Sequence, residues 1–311
     1  MRTKHIYLAV KLLIFAGLFS SCEKVIEFNG ERTKPLLVMN SILKADSIVR
    51  VHISKSRFFL DNDNEMSDIN NAAVKLWIND AEQETLRFVS EGDYYSSYKT
   101  KLGDNIKITA SANSFNDISS TAIIPEVPQV ISIDTVYTYE NDGGYISQIL
   151  NFDIKFTDKS NTDDYYLVYC IQRVYQDYIY EGKNYQEYDM YLFSDDIVFE
   201  NENNGNFAGE DIFGSMTFNA FTDDLINGKE YSLRMKSYVQ GYGADYQQKK
   251  LYALYFQKIS KAWYLYLRTT SLVNSDFSMF SEPVQVYTNI QNGLGILGAT
   301  NSFKKEFHLG E

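Results

Sequence analysis

The segment Val49-Arg50-Val51-His52-Ile53-Ser54 decides how the rest of the chain is interpreted, because apolar and polar residues alternate throughout it. Alternation with a period of two places the apolar side chains on one face of an extended chain. It is typical of an antiparallel strand with one face on a core and the other in water. The composition agrees, since the 25 Tyr and 20 Phe are residue types that favour strands.

Similar short segments surround this one and predict a β-sandwich over residues 35–125. Turn-forming residues separate them, such as Asn79-Asp80 and Leu102-Gly103-Asp104. Seven short strands in about 90 residues fit an immunoglobulin-like or transthyretin-like sandwich. The predicted strands are Leu36–Leu43, Ile48–Ser54, Ala73–Ile78, Glu84–Val89, Tyr94–Tyr98, Asn105–Ala112 and Ser119–Ile124.

A second, antiparallel β-rich domain is predicted for residues 129–311, after a boundary marked by Pro125 and Pro128. Its strands are longer. Over 251–272 apolar residues recur at three- and four-residue spacing, which predicts one helix. Val284–Thr288 is predicted as the last strand, ahead of a glycine-rich tail. The remaining predicted strands are Ile131–Tyr139, Ile146–Thr157, Tyr165–Tyr180, Glu187–Phe199, Met216–Phe221 and Glu230–Val239.

The first residues of the chain predict export and lipid attachment. Basic residues in Met1–His5 precede a short apolar segment that ends at Ser20-Ser21-Cys22, an order typical of a secretory signal. Small residues directly before a cysteine indicate cleavage of a signal peptide, 1–21, and acylation of Cys22, as in bacterial lipoproteins. Residues 22–34 are then a polar tether. A plain secretory signal with an incidental cysteine is the alternative.

The charge of the chain argues against nucleic acid as a partner. The formal net charge is −12, and removal of the three basic residues of the leader takes it to −15. Such a surface repels phosphate backbones and anionic headgroups, so membrane contact is expected through the lipid at Cys22. The only other cysteine, Cys170, lies in a strand-like segment and is interpreted as a buried apolar residue.

Two motifs resemble ligand sites. Gly293-Leu294-Gly295-Ile296-Leu297-Gly298 has the spacing of a dinucleotide loop, but too few residues follow it for the required strand and acidic residue. We interpret these glycines as positions of close backbone approach. Asp61, Asp63 and Glu65 resemble the start of a calcium loop, although Met66 and Ala72 stand where glycine and glutamate are required. A solvated loop is the main interpretation, and calcium at these three carboxylates is the alternative.

No catalytic residue, resident metal or cofactor is predicted. The 3 His are too few for a histidine-rich zinc site, and no nucleophile motif accompanies them. His52 is expected on the solvated face of its strand. The acidic pairs Asp195-Asp196 and Asp223-Asp224 are interpreted as charges of turns or strand edges. A pair of carboxylates for glycoside hydrolysis is a tertiary feature that the sequence does not single out.

The dense tyrosines between residues 165 and 191 are the best candidates for recognition. Exposed tyrosine rings give large contact area at a low cost in conformational entropy. The alternative is that most of these rings pair across strands. Tyr178, Tyr180 and Tyr185 flank Glu181-Gly182-Lys183-Asn184, so they are the ones expected to be exposed at a hairpin tip.

Seven further segments form a recognisable order along the chain. They are Pro35–Leu43, Ser54–Arg57, Asp61–Asp63, Ile69–Val74, Gly92–Ser97, Phe280–Val284 and Asn289–Ala299. Together they resemble a family of Bacteroidota outer-membrane lipoproteins known mainly as a domain of unknown function. The resemblance spans nearly the whole mature chain and implies no catalytic residues. It implies an accessory role beside a TonB-dependent transporter in nutrient uptake.

We therefore expect a non-enzymatic, lipid-anchored binding protein of the outer membrane that partners a TonB-dependent transporter. A structural or adhesive envelope lipoprotein is the second interpretation. A hydrolase of glycans or peptides is the third.

Overall fold

The alternating segment forms a strand with one buried face, as predicted. In the computed structural model, Val49, Val51 and Ile53 are buried, whereas Arg50 is exposed and His52 is half-buried. The structure describes residues 33–58, 67–142, 145–180, 183–200, 219–239, 250–274 and 285–308.

Sixteen strands and two helices make up the described part of the chain. The first group of strands agrees with the sequence prediction to within a few residues. The strands are β1 Leu37–Lys44, β2 Ile48–Lys55, β3 Ala73–Ile78, β4 Ala81–Thr85, β5 Arg87–Ser90, β6 Asp93–Lys99, β7 Asn105–Ser111, β8 Ile118–Ile123, β9 Gln129–Asp142, β10 Tyr145–Thr157, β11 Tyr165–Tyr180, β12 Lys183–Met190, β13 Ala220–Thr222, β14 Glu230–Tyr238, β15 Lys250–Ile259 and β16 Leu294–His308. The helices are α1 Ile197–Glu200 and α2 Lys261–Asn274.

The strands form three sheets. The long sheet has the order β12-β11-β15-β16-β1-β2-β6-β5, with β13 paired to β11. The four-stranded sheet has the order β4-β3-β7-β8, and the three-stranded sheet has the order β14-β10-β9. In the long sheet β1 and β16 are parallel, and the other pairings are antiparallel.

Two large cores lie on the described part of the long sheet, one toward each end, and a smaller cluster packs α2 against β11, β13 and β15. In the first, β1, β2 and β6 pack against β3, β7 and β8 of the four-stranded sheet. In the second, β11, β15 and β16 pack against β9, β10 and β14 of the three-stranded sheet. Each core is thus enclosed between two sheets, as in a β-sandwich. The predicted fold class, mainly β with antiparallel sheets and one sizeable helix, is confirmed.

Strand β16 connects the two cores. Leu297 and Ala299 belong to the first core, and Phe303 and Phe307 pack against the second. The predicted boundary at 125–129 falls between β8 and β9, where one core gives way to the other. The predicted domains therefore have separate cores but share one sheet, and Pro35–Glu311 forms one compact unit.

The glycine-rich segment begins this shared strand, which corrects the prediction of a tail. A Cβ at Gly295 would overlap the carbonyl oxygen of Met39 on β1, and the φ of Gly295 is +101°. A Cβ at Gly298 would lie 2.9 Å from Cβ of Trp263 on α2. The interpretation of these glycines as close approaches is confirmed. The predicted strand Val284–Thr288 is wrong, because its described residues, 285–288, have no regular structure.

The predicted helix over 251–272 is right only in its second half. Its first half is β15, which lies between β11 and β16 and is buried on both faces. A strand buried on both faces shows no polar alternation, so its apolar residues matched a helical spacing by chance. Ser260 is the N-cap of the helix. Its hydroxyl oxygen accepts hydrogen bonds from the backbone N–H of Trp263 at 3.3 Å and of Ala299 at 3.0 Å.

Candidate functional site

Most of the residues singled out in the sequence lie where no contact can be assigned. Cys22 and the acidic residues Asp61, Asp63 and Glu65 fall outside the described residues. The backbones of Tyr178 and Tyr180 belong to β11, but their side chains also fall outside the description. Lipidation, calcium binding and ligand contact at these positions stay predictions.

Tyr185 lies on β12, half-buried among neighbouring side chains. The centroid of its ring is 5.7 Å from that of Tyr175 on β11. The guanidinium carbon of Arg173 lies 5.4 Å from the centroid of the Tyr185 ring. Arg173 in turn donates to Glu187 at 2.7 Å and to Glu306 at 3.1 Å. Tyr185 is thus held within a cross-strand cluster of the long sheet.

Two other tyrosines show the same cross-strand pairing. Tyr169 on β11 and Tyr255 on β15 are directly opposite each other, and their rings stack at 4.6 Å. Lys304 lies 5.5 Å from the Tyr255 ring. Burial raises the pKa of Tyr169 to about 12, with smaller contributions from Tyr255 and Asp189. Rings paired in this way stabilise the sheet, which was the alternative interpretation of the tyrosine-rich region.

Three aspartates form a buried cluster between the end of β10 and β13. One oxygen from each of Asp158, Asp164 and Asp223 lies within 4.8 Å of the others. Asp223 does lie in the turn after β13, as interpreted from the sequence, but it is only 3% exposed and is therefore not a surface charge. Burial raises the pKa of Asp223 to about 6, and the neighbouring Asp158 and Asp164 carboxylates contribute to the shift.

Hydrogen-bond donors already satisfy this cluster. Asp158 accepts from Tyr166 Oη at 2.6 Å and from the backbone N–H of Gly228 at 2.8 Å. The buried Lys258 ammonium donates to Asp164. Carboxyl groups that are buried and bonded in this way hold a fold together. A metal ion would have to displace Lys258, so we assign the cluster a structural role.

The outer face of the three-stranded sheet carries an open groove of about 620 Å³. This size is within the range of about 300–1,000 Å³ that is typical of small-molecule sites. The groove lies beside the segment that leads from β12 into α1, where Phe193 pairs with Lys236 of β14. Its charged lining residues are Asp134, Asp153, Asp195, Asp196, Arg234 and Lys236.

A row of three charges crosses the floor of the groove. Asp134 on β9 is directly opposite Asp153 on β10, and Asp153 is directly opposite Arg234 on β14. Like charges directly opposite each other destabilise a sheet. Arg234 offsets this only in part, because it is 82% exposed and its Nε lies 3.9 Å from Asp153 Oδ2. Asp134 and Asp153 also accept hydrogen bonds from the hydroxyl groups of Ser132 and Ser232. Over the whole lining, four aspartates stand against Arg234 and Lys236, and this net negative charge is suited to a ligand with a positive charge.

Apolar side chains and fixed polar groups complete the groove. Val136 is 60% exposed beside this row, and the rings of Phe193 and Tyr238 meet edge to face at 5.8 Å. Asp196 accepts hydrogen bonds from Tyr231 Oη at 2.6 Å and from the backbone N–H of Val198 at 3.2 Å, which fixes the loop that borders the groove. The groove as a whole thus offers both a net negative charge and apolar contact.

This groove was not predicted from the sequence, although the strands that build it were. Residues of three strands meet there only through the register, which no single segment reveals. The one available signal is the alternation of Asn151, Asp153 and Lys155 with buried Phe152 and Ile154, which marks an outward polar face.

Comparison with known families places most of the chain in a recognised family. The profile of a family described as a domain of unknown function (DUF4249) matches residues 23–306 and so covers both cores. No curated protein matches the chain. Within the described ranges, no helix has the length and apolar character needed to cross a bilayer.

Proposed function

We propose that this chain, which belongs to the DUF4249 family of unknown function, is a non-enzymatic extracytoplasmic binding protein. The groove on the three-stranded sheet takes a ligand that carries a cationic group. Acylation of Cys22 holds the protein in the outer membrane, where it delivers this ligand to a TonB-dependent transporter. The leader sequence supports the anchor, and the resemblance to outer-membrane lipoproteins supports the transporter as partner.

The row Asp134–Asp153–Arg234 is the observation on which ligand binding depends. A positively charged group between Asp134 and Asp153 removes their repulsion, and the exposed Arg234 guanidinium leaves room for it. Val136 and Phe193 supply apolar contact at the sides. These groups attract and orient a ligand, and none of them is arranged as a nucleophile with a neighbouring base.

The groove is tested by titrating the full-length protein in detergent with L-argininamide, which carries a guanidinium group and no carboxylate. We expect saturable binding that Asp153→Asn weakens at least about tenfold, because one of the two facing charges is lost. Asp224→Asn is the matched control, since Asp224 is exposed in a turn away from the groove. Equal binding by the two variants would contradict the assignment.

The anchor and the partner need separate tests. Cys22→Ala should move the protein from the membrane fraction to the soluble fraction, because the acyl chains are lost. Gentle detergent extraction of the native protein should recover a β-barrel transporter with it. An unmodified Cys22 thiol in mass spectrometry of the native protein would refute the anchor without bearing on the groove.

A further inference from the structure

We infer that the ligand is an extended peptide segment that adds as a fourth strand to the edge of β9, with basic side chains over the groove. The inference rests on the proposed function, since it names the ligand class of the same groove. The inference is based on the position of β9, a long strand at the edge of the three-stranded sheet. Among the described residues, no strand pairs with its other side.

Natural edge strands are usually short or protected by charged residues, proline, a β-bulge or a covering loop. β9 has 14 residues and contains neither proline nor a basic residue, and its register shift, between Val130 and Ser132, lies before the stretch from Asp134 to Glu140. Val136 and Tyr139 are 60% and 70% exposed. Lys305 donates to the carbonyl oxygen of Ile133, which covers one acceptor near the start of the strand. The stretch from Asp134 to Glu140 therefore offers backbone groups and exposed apolar side chains to an incoming strand.

The charges of β9 select the kind of segment. The exposed Asp134 and Glu140 are acidic, and Asp134 already faces Asp153 across the sheet. A strand added beside β9 places alternate side chains on the outer face, directly next to Asp134. Basic side chains at those positions neutralise the row of carboxylates. A second copy of this chain is a poor occupant, because its own β9 would bring more acidic residues to the same face.

Strand addition predicts a specific pattern of affinities. Backbone hydrogen bonds supply the affinity in this recognition mode, and alternate side chains supply the specificity. We would compare three nine-residue peptides by isothermal titration of the full-length protein in detergent. The first alternates lysine with valine, the second has the same sequence with alternate backbone amides methylated, and the third has glutamate in place of lysine. N-methylation removes the ladder donors and retains every charge.

We expect the lysine–valine peptide to bind at least about tenfold more tightly than its methylated form, and the glutamate peptide not to bind. Tyr139→Lys with Glu140→Lys should abolish binding of the first peptide, because both changes oppose a basic strand at the exposed edge. Leu102→Lys is the matched control, an exposed apolar residue in the turn before β7.

The outcomes separate the inference from the proposed function. Equal affinities for the methylated and unmethylated peptides, both lost in Asp153→Asn, would retain the groove and overturn strand addition. Absence of binding by L-argininamide and by every peptide would overturn both. If the Tyr139→Lys, Glu140→Lys variant no longer binds the lysine–valine peptide but still binds L-argininamide, both proposals are supported.

Discussion

Replacement of Gly295 by alanine tests how β16 fits against β1. The backbone of Gly295 has a φ of +101°, in a region that residues with a Cβ rarely adopt. The added methyl group would also overlap the Met39 carbonyl oxygen and lie 2.8 Å from Asn40 Oδ1. Both atoms belong to the neighbouring strand, so the substitution opposes the parallel pairing of β1 with β16.

The size of the effect follows from two contributions. A positive φ costs an alanine about 1–2 kcal/mol, and forcing a methyl group into a packed contact costs about 1–3 kcal/mol. We therefore expect Gly295→Ala to lower the free energy of unfolding by about 3 kcal/mol. With an unfolding entropy of about 2.1 cal/mol/K per residue, such a loss lowers the Tm of a chain of this size by about 5 °C.

Thermal and urea unfolding followed by circular dichroism measure this change, and two other glycines divide it into its parts. Gly103 has a φ of +79° and nothing within 4 Å of its added Cβ, so Gly103→Ala reports the conformational cost alone. Gly298→Ala reports packing, because a Cβ there would lie 2.8 Å from Ile42 Cδ1 without a positive φ. If Gly295→Ala destabilises the protein no more than Gly103→Ala, the close approach of β1 and β16 is wrong.

Three further predictions concern buried polar groups. Because the pKa of Asp223 is about 6 in the folded protein and the ordinary value is 3.8, the folded state binds more protons between these pH values. The contribution of Asp223 to the free energy of unfolding should therefore fall as the pH rises from 4 to 6. Urea unfolding at several pH values should show this fall in the wild-type protein and in the control Asp224→Asn, but not in Asp223→Asn. Burial raises the pKa of Cys170 to about 12, so its thiol should resist iodoacetamide in the folded protein and react after unfolding in urea. Tyr166→Phe should lower the free energy of unfolding by about 1–3 kcal/mol, since it removes a donor from a buried carboxylate, and an unchanged urea midpoint would contradict this.

The strands with one solvent-exposed face could be predicted from the sequence, because the alternation of apolar and polar residues corresponds directly to buried and exposed positions. β2, β3 and β7 were located almost to the residue in this way. β15 was missed since both of its faces are covered and it has no polar alternation. The sequence also did not reveal that the Gly295 segment is a strand, because its glycines reflect contact with β1, more than 250 residues away in sequence.

The candidate site depends still more on tertiary structure. Asp134, Asp153 and Arg234 are ordinary outward-facing residues of three separate strands, and only the register brings them into one row. Asp223 shows the opposite case. Next to Asp224 it resembled a turn charge, and its burial follows from the packing of the β13 region against β11. Neither the strand register nor the burial of Asp223 can be deduced from composition or motif spacing.

The position of β16 also governs the order in which the protein is assembled. Val38 near the start of β1 pairs with Leu294, so the N-terminal sandwich lacks an interior strand until that distant part of the chain has been synthesised. Formation of this sandwich is thereby postponed until nearly all of the chain is present. Under the export that we propose, such a delay would keep the chain competent for translocation, at the cost of a late, slow closing step.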